Sequence, residues 1–240
     1  MKRSTVFVLI LGILACPAAV RAQEDRVSDQ AELSYVETTG NTETVSLAAK
    51  NVLKYTFSEK LLGTWSLGAL LVETDDVTTA EQYSTRVRLD YVLSDRLYSF
   101  ADAGWFQDEP AGVSSRVDVG AGAGYWFLTG PEHKLQGEAG LTQTTEEFTD
   151  GTDNDFLGGR LFGKYAYSFR EKNELSQSLE YLLDFDDTDN YAVNSETAFT
   201  SVMTDVLSLK TSYVINFDNE PPPGSEDTDT KLSVTLVVNL

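Results

Sequence analysis

Apolar and polar residues alternate along most of the chain, in segments of about ten residues, the length a tilted strand needs to cross the hydrocarbon of a bilayer. The clearest segment runs from Tyr83 to Leu93. Tyr83, Thr85, Val87, Leu89, Tyr91 and Leu93 share one face there, and Ser84, Arg86, Arg88 and Asp90 share the other. The last segment repeats the pattern, with Leu232, Val234, Leu236, Val238 and Leu240 set against Lys231, Ser233, Thr235, Val237 and Asn239. Ten further segments lie near 31–38, 43–55, 62–72, 97–106, 115–127, 134–144, 157–169, 174–183, 191–201 and 207–217. No amphipathic helix of useful length interrupts them. In the segment after residue 115, Gly120, Gly122 and Gly124 fall on the face of Arg116 and Asp118, where small residues relieve crowding inside a curved wall.

The connections sharpen the expectation. Every second one is short: 57–60, 93–96, 129–132, 170–173 and 204–206. The intervening ones read as longer and acidic, spanning 73–80, 107–114, 145–155, 184–190 and 218–229. Short turns at one end, longer loops at the other and an even strand number describe an outer-membrane barrel with both termini on the periplasmic side. The expected fold class is all-β, a transmembrane antiparallel up-and-down β-barrel of about 12 strands. Aromatic residues near the short turns (Tyr55, Phe57, Tyr91, Tyr98, Phe127, Tyr167, Phe169) and near the long loops (Tyr83, Trp105, Tyr181, Tyr191, Phe217) would form two interfacial girdles.

Carrying the alternation inward places Lys50, Lys54, Arg86, Arg88, Asp90, Asp102, Arg116, Asp118, Glu138, Arg160, Lys164, Glu180, Glu196 and Lys210 on the lumen face. Charges on the lipid face would be costly, so their sidedness favours a barrel. They either line water or pair into a plug. Twelve strands lie between the filled bores of small barrels and the aqueous channels of large ones.

The first 22 residues read as a secretory signal peptide, with basic Lys2 and Arg3, an apolar stretch from Val6 to Ala15 and the small-residue exit Val20-Arg21-Ala22. The barrel domain then spans 23–240. A competing reading takes Ile13-Leu14-Ala15-Cys16 as a lipoprotein box with Cys16 acylated. Cleavage after Ala22 removes the only cysteine and takes the formal net charge from −20 to −23, which argues against nucleic acid as a partner. The apolar content of 41% and mean hydropathy of −0.23 resemble a soluble protein, but a barrel dilutes its apolar face with its lumen face.

Catalytic chemistry is sparse. The only histidine, His133, sits in an expected periplasmic turn and reads as a solvated turn residue. No Gly-x-Ser-x-Gly motif and no histidine or cysteine metal cluster is present in the sequence. No enzyme and no cofactor is expected. The acidic runs Asp150 to Asp155 and Asp184 to Asp189 offer oxygen at alternate positions, as a calcium loop would, but neither continues to the closing glutamate of an EF-hand.

Gly40-Asn41-Thr42-Glu43-Thr44 with Ser46-Leu47, followed by Asp108, Gly112, Arg116, Gly120, Gly122, Gly124 and Tyr125, resembles the family of salt-induced outer-membrane proteins, a domain of unknown function. The resemblance covers nearly the whole mature chain. It implies a porin-like barrel in the cell outer membrane and leaves the activity open. The chain ends in Leu240, where such barrels often present an aromatic residue to the barrel-assembly machinery. Outer-membrane lipid, lipopolysaccharide and that machinery are the expected partners. The leading expectation is a narrow pore or envelope-integrity protein. Its rivals are a closed structural barrel and a soluble periplasmic β-sandwich or lipocalin-like binder.

Overall fold

The computed structural model of the chain describes residues 26–38, 43–170, 172–221 and 226–239. The expected leader, Cys16 and the terminal Leu240 lie outside the described residues. Twelve strands follow in order: Val27–Thr38 (β1), Thr44–Ser58 (β2), Leu61–Thr74 (β3), Val77–Val92 (β4), Leu97–Asp108 (β5), Val113–Thr129 (β6), His133–Phe148 (β7), Asp153–Phe169 (β8), Asn173–Asp184 (β9), Tyr191–Val202 (β10), Leu207–Asp218 (β11) and Thr228–Asn239 (β12). Each pairs antiparallel with its neighbours in sequence, and β1 also pairs antiparallel with β12, so the sheet closes into a barrel. Each of the twelve alternating segments overlaps one strand. Closure satisfies the backbone groups that an open sheet would leave bare in lipid.

The two faces are inverted relative to a soluble globule. Val87, Leu89 and Tyr91 on β4, Leu157 and Leu161 on β8 and Leu175 and Leu179 on β9 are all exposed. Asp108, Glu138, Glu146 and Asp184 are buried, each less than 8% exposed. A lipocalin-like binder or a β-sandwich would bury its apolar face and expose the charges. The soluble alternative is therefore excluded by the disposition of side chains.

The connections differ from the sequence expectation. The loop expected over 73–80 is a turn centred on Asp75 and Asp76 alone, both with positive φ (49° and 63°), the geometry of a type I′ hairpin. The connections at 109–112 and 149–152 are no longer than the one at 93–96. Of the five connections expected to be long, 185–190 and 219–227 still separate their strands by more than four residues. The reason is that the ladders continue past the apolar belt. Above the lipid no outward residue needs to be apolar, so periodicity disappears while pairing persists, as in Glu146↔Asn154 and Glu147↔Asp153.

Aromatic contacts mark both rims. Near the chain termini Tyr55 packs edge-on against Phe57 at 4.8 Å and Tyr125 against Phe127 at 5.1 Å, while Tyr167 stacks on Phe169 at 5.4 Å. At the opposite end Tyr181, Tyr191 and Phe217 form a chain with centroids 5.9 Å apart. His133 is not a turn residue. It opens β7, stacks on Tyr167 at 4.8 Å and meets the Tyr165 hydroxyl through Nδ1 at 2.8 Å, which makes it part of the rim.

The opposite faces of β4 give a direct test of sidedness. Leu89→Arg is expected to destabilise the barrel by about 2 to 4 kcal/mol in urea-dependent folding into vesicles, the cost of a cation facing the middle of the bilayer. Ser84→Arg, on the cavity side of the same strand, is expected to cost much less. Equal costs would contradict this sidedness.

Candidate functional site

The inner face carries a connected set of ion pairs, built up from strand parity. On β4, Arg86 and Arg88 lie two apart and so project the same way. Arg86 reaches across to Asp102 on β5 and donates through Nη2 to Asp118 Oδ1 on β6 at 2.8 Å. Arg88 takes a longer path. It donates to Asp90 Oδ1 on its own strand through Nε at 2.9 Å, and it grips Glu138 on β7 with both Nη atoms, at 2.7 and 3.1 Å.

That second contact spans three strand positions, from β4 to β7, over β5 and β6. It is possible because of what those two strands present. β6 offers Gly120, Gly122 and Gly124; the Phe100 and Tyr98 side chains of β5 lie over Gly122 and Gly124, and Asp102 of β5 lies over Gly120. A Cβ on Gly122 would stand 2.3 Å from the Ala139 carbonyl oxygen of β7 and 2.7 Å from the Phe100 ring, so both the neighbouring backbone and the aromatic layer require glycine there. The crowding read from the sequence is thus a specific packing of β5 aromatics on bare β6 backbone. Phe100 then supports the arginines, with Arg88 Cζ 4.2 Å and Arg160 Cζ 5.9 Å from its centroid.

Glu138 is the hub. Its Oε1 accepts from Arg88 and from the Tyr98 hydroxyl at 2.7 Å, and its Oε2 accepts from Arg160 Nη1 at 2.8 Å. Arg160 on β8 continues through Nε to Glu180 on β9 at 2.6 Å, and Asn194 on β10 donates to the other Glu180 oxygen at 3.1 Å. The Glu138 side chain is only 3% exposed, against 21% for Arg88 and 19% for Arg160. A carboxylate so enclosed is tolerated because three donors converge on it.

Arg116 pairs with Glu146, and Lys210 on β11 joins Glu196 on β10 at 2.8 Å and Glu32 on β1 at 3.8 Å. Lys50 and Lys164 lie within electrostatic reach of Glu196 but form no ion pair among the described residues. Lys54 stands on β2, in register between Ser28 and Thr64. A cavity of about 560 Å³ lies inside the barrel, lined by Arg86, Arg116, Arg160, Asp102 and Asp118 and reaching Asn190, Tyr191 and Asp218 at the end opposite the termini. The Arg88 to Glu138 bridge lies in the halves of β4 and β7 nearer the termini.

Four contributors were misplaced or missed by the alternation alone. Tyr98 was assigned to the outer girdle, but its hydroxyl binds Glu138 inside the bore. Glu146 was placed in a loop, and the extension of β7 brings it onto the inner face two steps beyond Thr144. Glu32 shares its parity with Ser34 and was recoverable from β1. Phe100 carries no charge and so gave no signal.

The two acidic runs are occupied by their own backbone. Asp150 accepts from the amide and hydroxyl of Thr152, which hold its carboxyl below the usual carboxylate range. Asp184 accepts from the Asp186 amide at 2.8 Å and from the Asn190 side chain at 3.2 Å. Among the described residues no group of three or more His, Cys, Asp and Glu side chains is placed to hold a metal ion.

A closed twelve-strand barrel with an apolar outside and an ion-paired inside defines a barrel of the outer-membrane type. The chain belongs to the family described as "Protein of unknown function, DUF481", whose model matches residues 31–240. It is similar to the uncharacterized protein YdiY of Escherichia coli (strain K12), with 27% identity over 203 residues, covering 84% of this chain and 79% of that one. Among solved structures it resembles the COG4313 outer membrane channel from Pseudomonas putida F1, with a TM-score of 0.56, 13% identity, 90% of this chain and 95% of that chain covered. It also resembles the translocator domain of the autotransporter NalP from Neisseria meningitidis, with a TM-score of 0.53, 12% identity and coverage of 89% and 87%. These likenesses establish the fold.

Removing the hub should expose how much the bridge matters. Glu138→Ala leaves Arg88 and Arg160 facing each other in a confined space and is expected to cost about 3 to 5 kcal/mol. Glu138→Gln, which keeps the acceptor but loses the charge, should fall between that variant and the unmodified protein. The measurement is the denaturant midpoint of the heat-modifiable folded band in vesicles.

Proposed function

We propose that this protein resides in the outer membrane of a Gram-negative cell and forms a narrow, charge-lined pore. The observation that carries the reading is the polar cavity of about 560 Å³, lined by fixed charges of both signs and bounded below by the Arg88–Glu138–Arg160 bridge. The cavity serves as a vestibule and the bridge as the constriction. Lipid and lipopolysaccharide surround the apolar outer face, and the barrel-assembly machinery inserts it. A role in envelope integrity under salt stress is compatible with such a pore, because a narrow charged constriction passes small ions slowly and excludes larger solutes. No catalytic step is assigned to it.

The same bridge favours a second reading, a closed structural barrel in which the paired charges plug the bore. Planar-bilayer recording of the purified protein separates the two. For a pore, the unmodified protein should conduct in small steps, and Arg116→Ala should shift selectivity towards cations with little loss of stability, because water in an open bore hydrates Glu146 once its partner is gone. An absence of conductance, together with strong destabilisation of Arg116→Ala, would leave the closed barrel. The orientation is checked independently. A cysteine at Thr152, in the connection at 149–152, should react with an impermeant label on intact cells; labelling only after permeabilisation would reverse it.

A further inference from the structure

The barrel wall is not equally laced all round. The β1–β2 ladder runs from Val27↔Tyr55 to Thr38↔Thr44, and the β11–β12 ladder from Leu207↔Val238 to Phe217↔Thr228. Among the described residues the β1–β12 ladder holds four pairs, from Gln30↔Asn239 to Leu33↔Leu236. Yet β1 continues to Thr38, and β12 begins at Thr228. Immediately beyond the last pair the Ser34 hydroxyl donates to the Val234 carbonyl at 3.1 Å, a side chain standing in for the next rung.

This unlaced stretch does not lie wholly above the lipid. Leu232 and Val234, on the outer face of β12 alongside it, are 71% and 54% exposed. A sheet edge facing hydrocarbon costs free energy for each backbone group left without a partner. Whatever occupies such a gap must offer polar groups to the strand edges and apolar groups to the surrounding lipid.

Directly behind the gap is a second cavity of about 270 Å³. Ser34 of β1 and Ser233 and Thr235 of β12 line it, so it lies against the seam. Lys50, Lys210 and Lys231 face it as well. Lys210 is neutralised by Glu196 and Glu32, whereas Lys50 and Lys231 form no ion pair among the described residues. Gly68 on the far wall keeps the space open. The cavity therefore combines hydroxyl donors with Lys231 and Lys50, of which Lys50 lies within electrostatic reach of Glu196, beside the stretch where the β1–β12 ladder ends.

We propose that this seam is a lateral binding site for an amphiphile with an anionic head, phosphate or carboxylate. The head sits on Lys50 and Lys231, and the acyl chain leaves between β1 and β12 into the lipid. The inference rests on the outer-membrane reading above and does not depend on whether the central bore conducts.

The test uses protein purified from an expressing cell and reconstituted in phosphatidylcholine vesicles with a trace of photoactivatable lipid. Three probes serve as arms: a phosphatidic acid, a fatty acid and a phosphatidylcholine, each with the reactive group on the acyl chain. At least one anionic probe should cross-link preferentially to β1 and β12 peptides, and the zwitterionic probe should not; which anionic probe wins identifies the head. Lys50→Gln with Lys231→Gln should lower that yield about tenfold, two cationic contacts being lost. Val36→Cys with Ser233→Cys, which continues the observed register, should block labelling when oxidised and restore it when reduced. Millimolar inorganic phosphate should compete weakly; complete competition would mean an anion site without a tail and would overturn the proposal. Labelling spread evenly around an inserted, heat-modifiable barrel would also overturn it while leaving the membrane assignment intact. Failure to insert would overturn both.

Discussion

Hydrocarbon offers no hydrogen bonds, so every peptide group inside it must find its partner within the protein. The rest of this structure follows from that constraint. It favours ladders on both edges of each strand in the apolar belt, and for a sheet the continuous solution is closure, which the β1–β12 pairing supplies as far as Leu33↔Leu236. Closure divides the side chains by parity into those that meet lipid and those that meet one another. The outer set has only to be apolar and is forgiving of exchange among Leu, Val, Tyr and Phe. The inner set has no bulk solvent to neutralise it fully and must arrange its own partners. The ion-pair chain from Asp90 through Glu138 to Glu180 is the result.

That chain also explains an apparent weakness of β6. Glycines in a strand interior lose packing area and backbone order. Gly120, Gly122 and Gly124 give this up at successive inward positions, and the space is taken by Asp102, Phe100 and Tyr98 from β5. The aromatic layer allows the Arg88 guanidinium to pass over two strands and reach Glu138. A side chain on Gly122 would lift Phe100 and with it the floor under both arginines. The cost of three glycines in one strand is offset by bidentate and cation–π contacts in a confined setting.

The period-two pattern made the strand count and the two faces legible, because within the apolar belt each outward residue is forced to be apolar. Arg86, Arg88, Asp118, Glu138 and Arg160 were on the page for the same reason. Strand lengths were not, since pairing above the lipid imposes no pattern on sequence; hence Glu146 read as loop, and the Asp75-Asp76 turn read as part of a longer connection. Pair identity was not legible either. Arg88 meets Glu138 rather than a nearest-strand acid because of stagger and of uncharged Phe100, and neither leaves a mark in the distribution of charges. Tyr98 misled because an aromatic near a turn fits a rim equally well, and only its inward parity marked it out.

The cations divide by type as well as by place. Arg86, Arg88, Arg116 and Arg160, on β4, β6 and β8, are each fixed against carboxylates on that side of the barrel. A planar guanidinium can satisfy two acids at once and holds its charge under all ordinary conditions, which suits a rigid bridge. Lys50 and Lys231, on β2 and β12, stand beside the incompletely laced seam. An ammonium on a flexible stem can turn towards whatever arrives, and it leaves no rigid geometry unsatisfied when nothing does. The side of the barrel closed by arginine therefore resists rearrangement, whereas the side lined by lysine, where four described strand pairs close the wall, is the side on which the proposed ligand would enter without breaking the ion pairs across the bore.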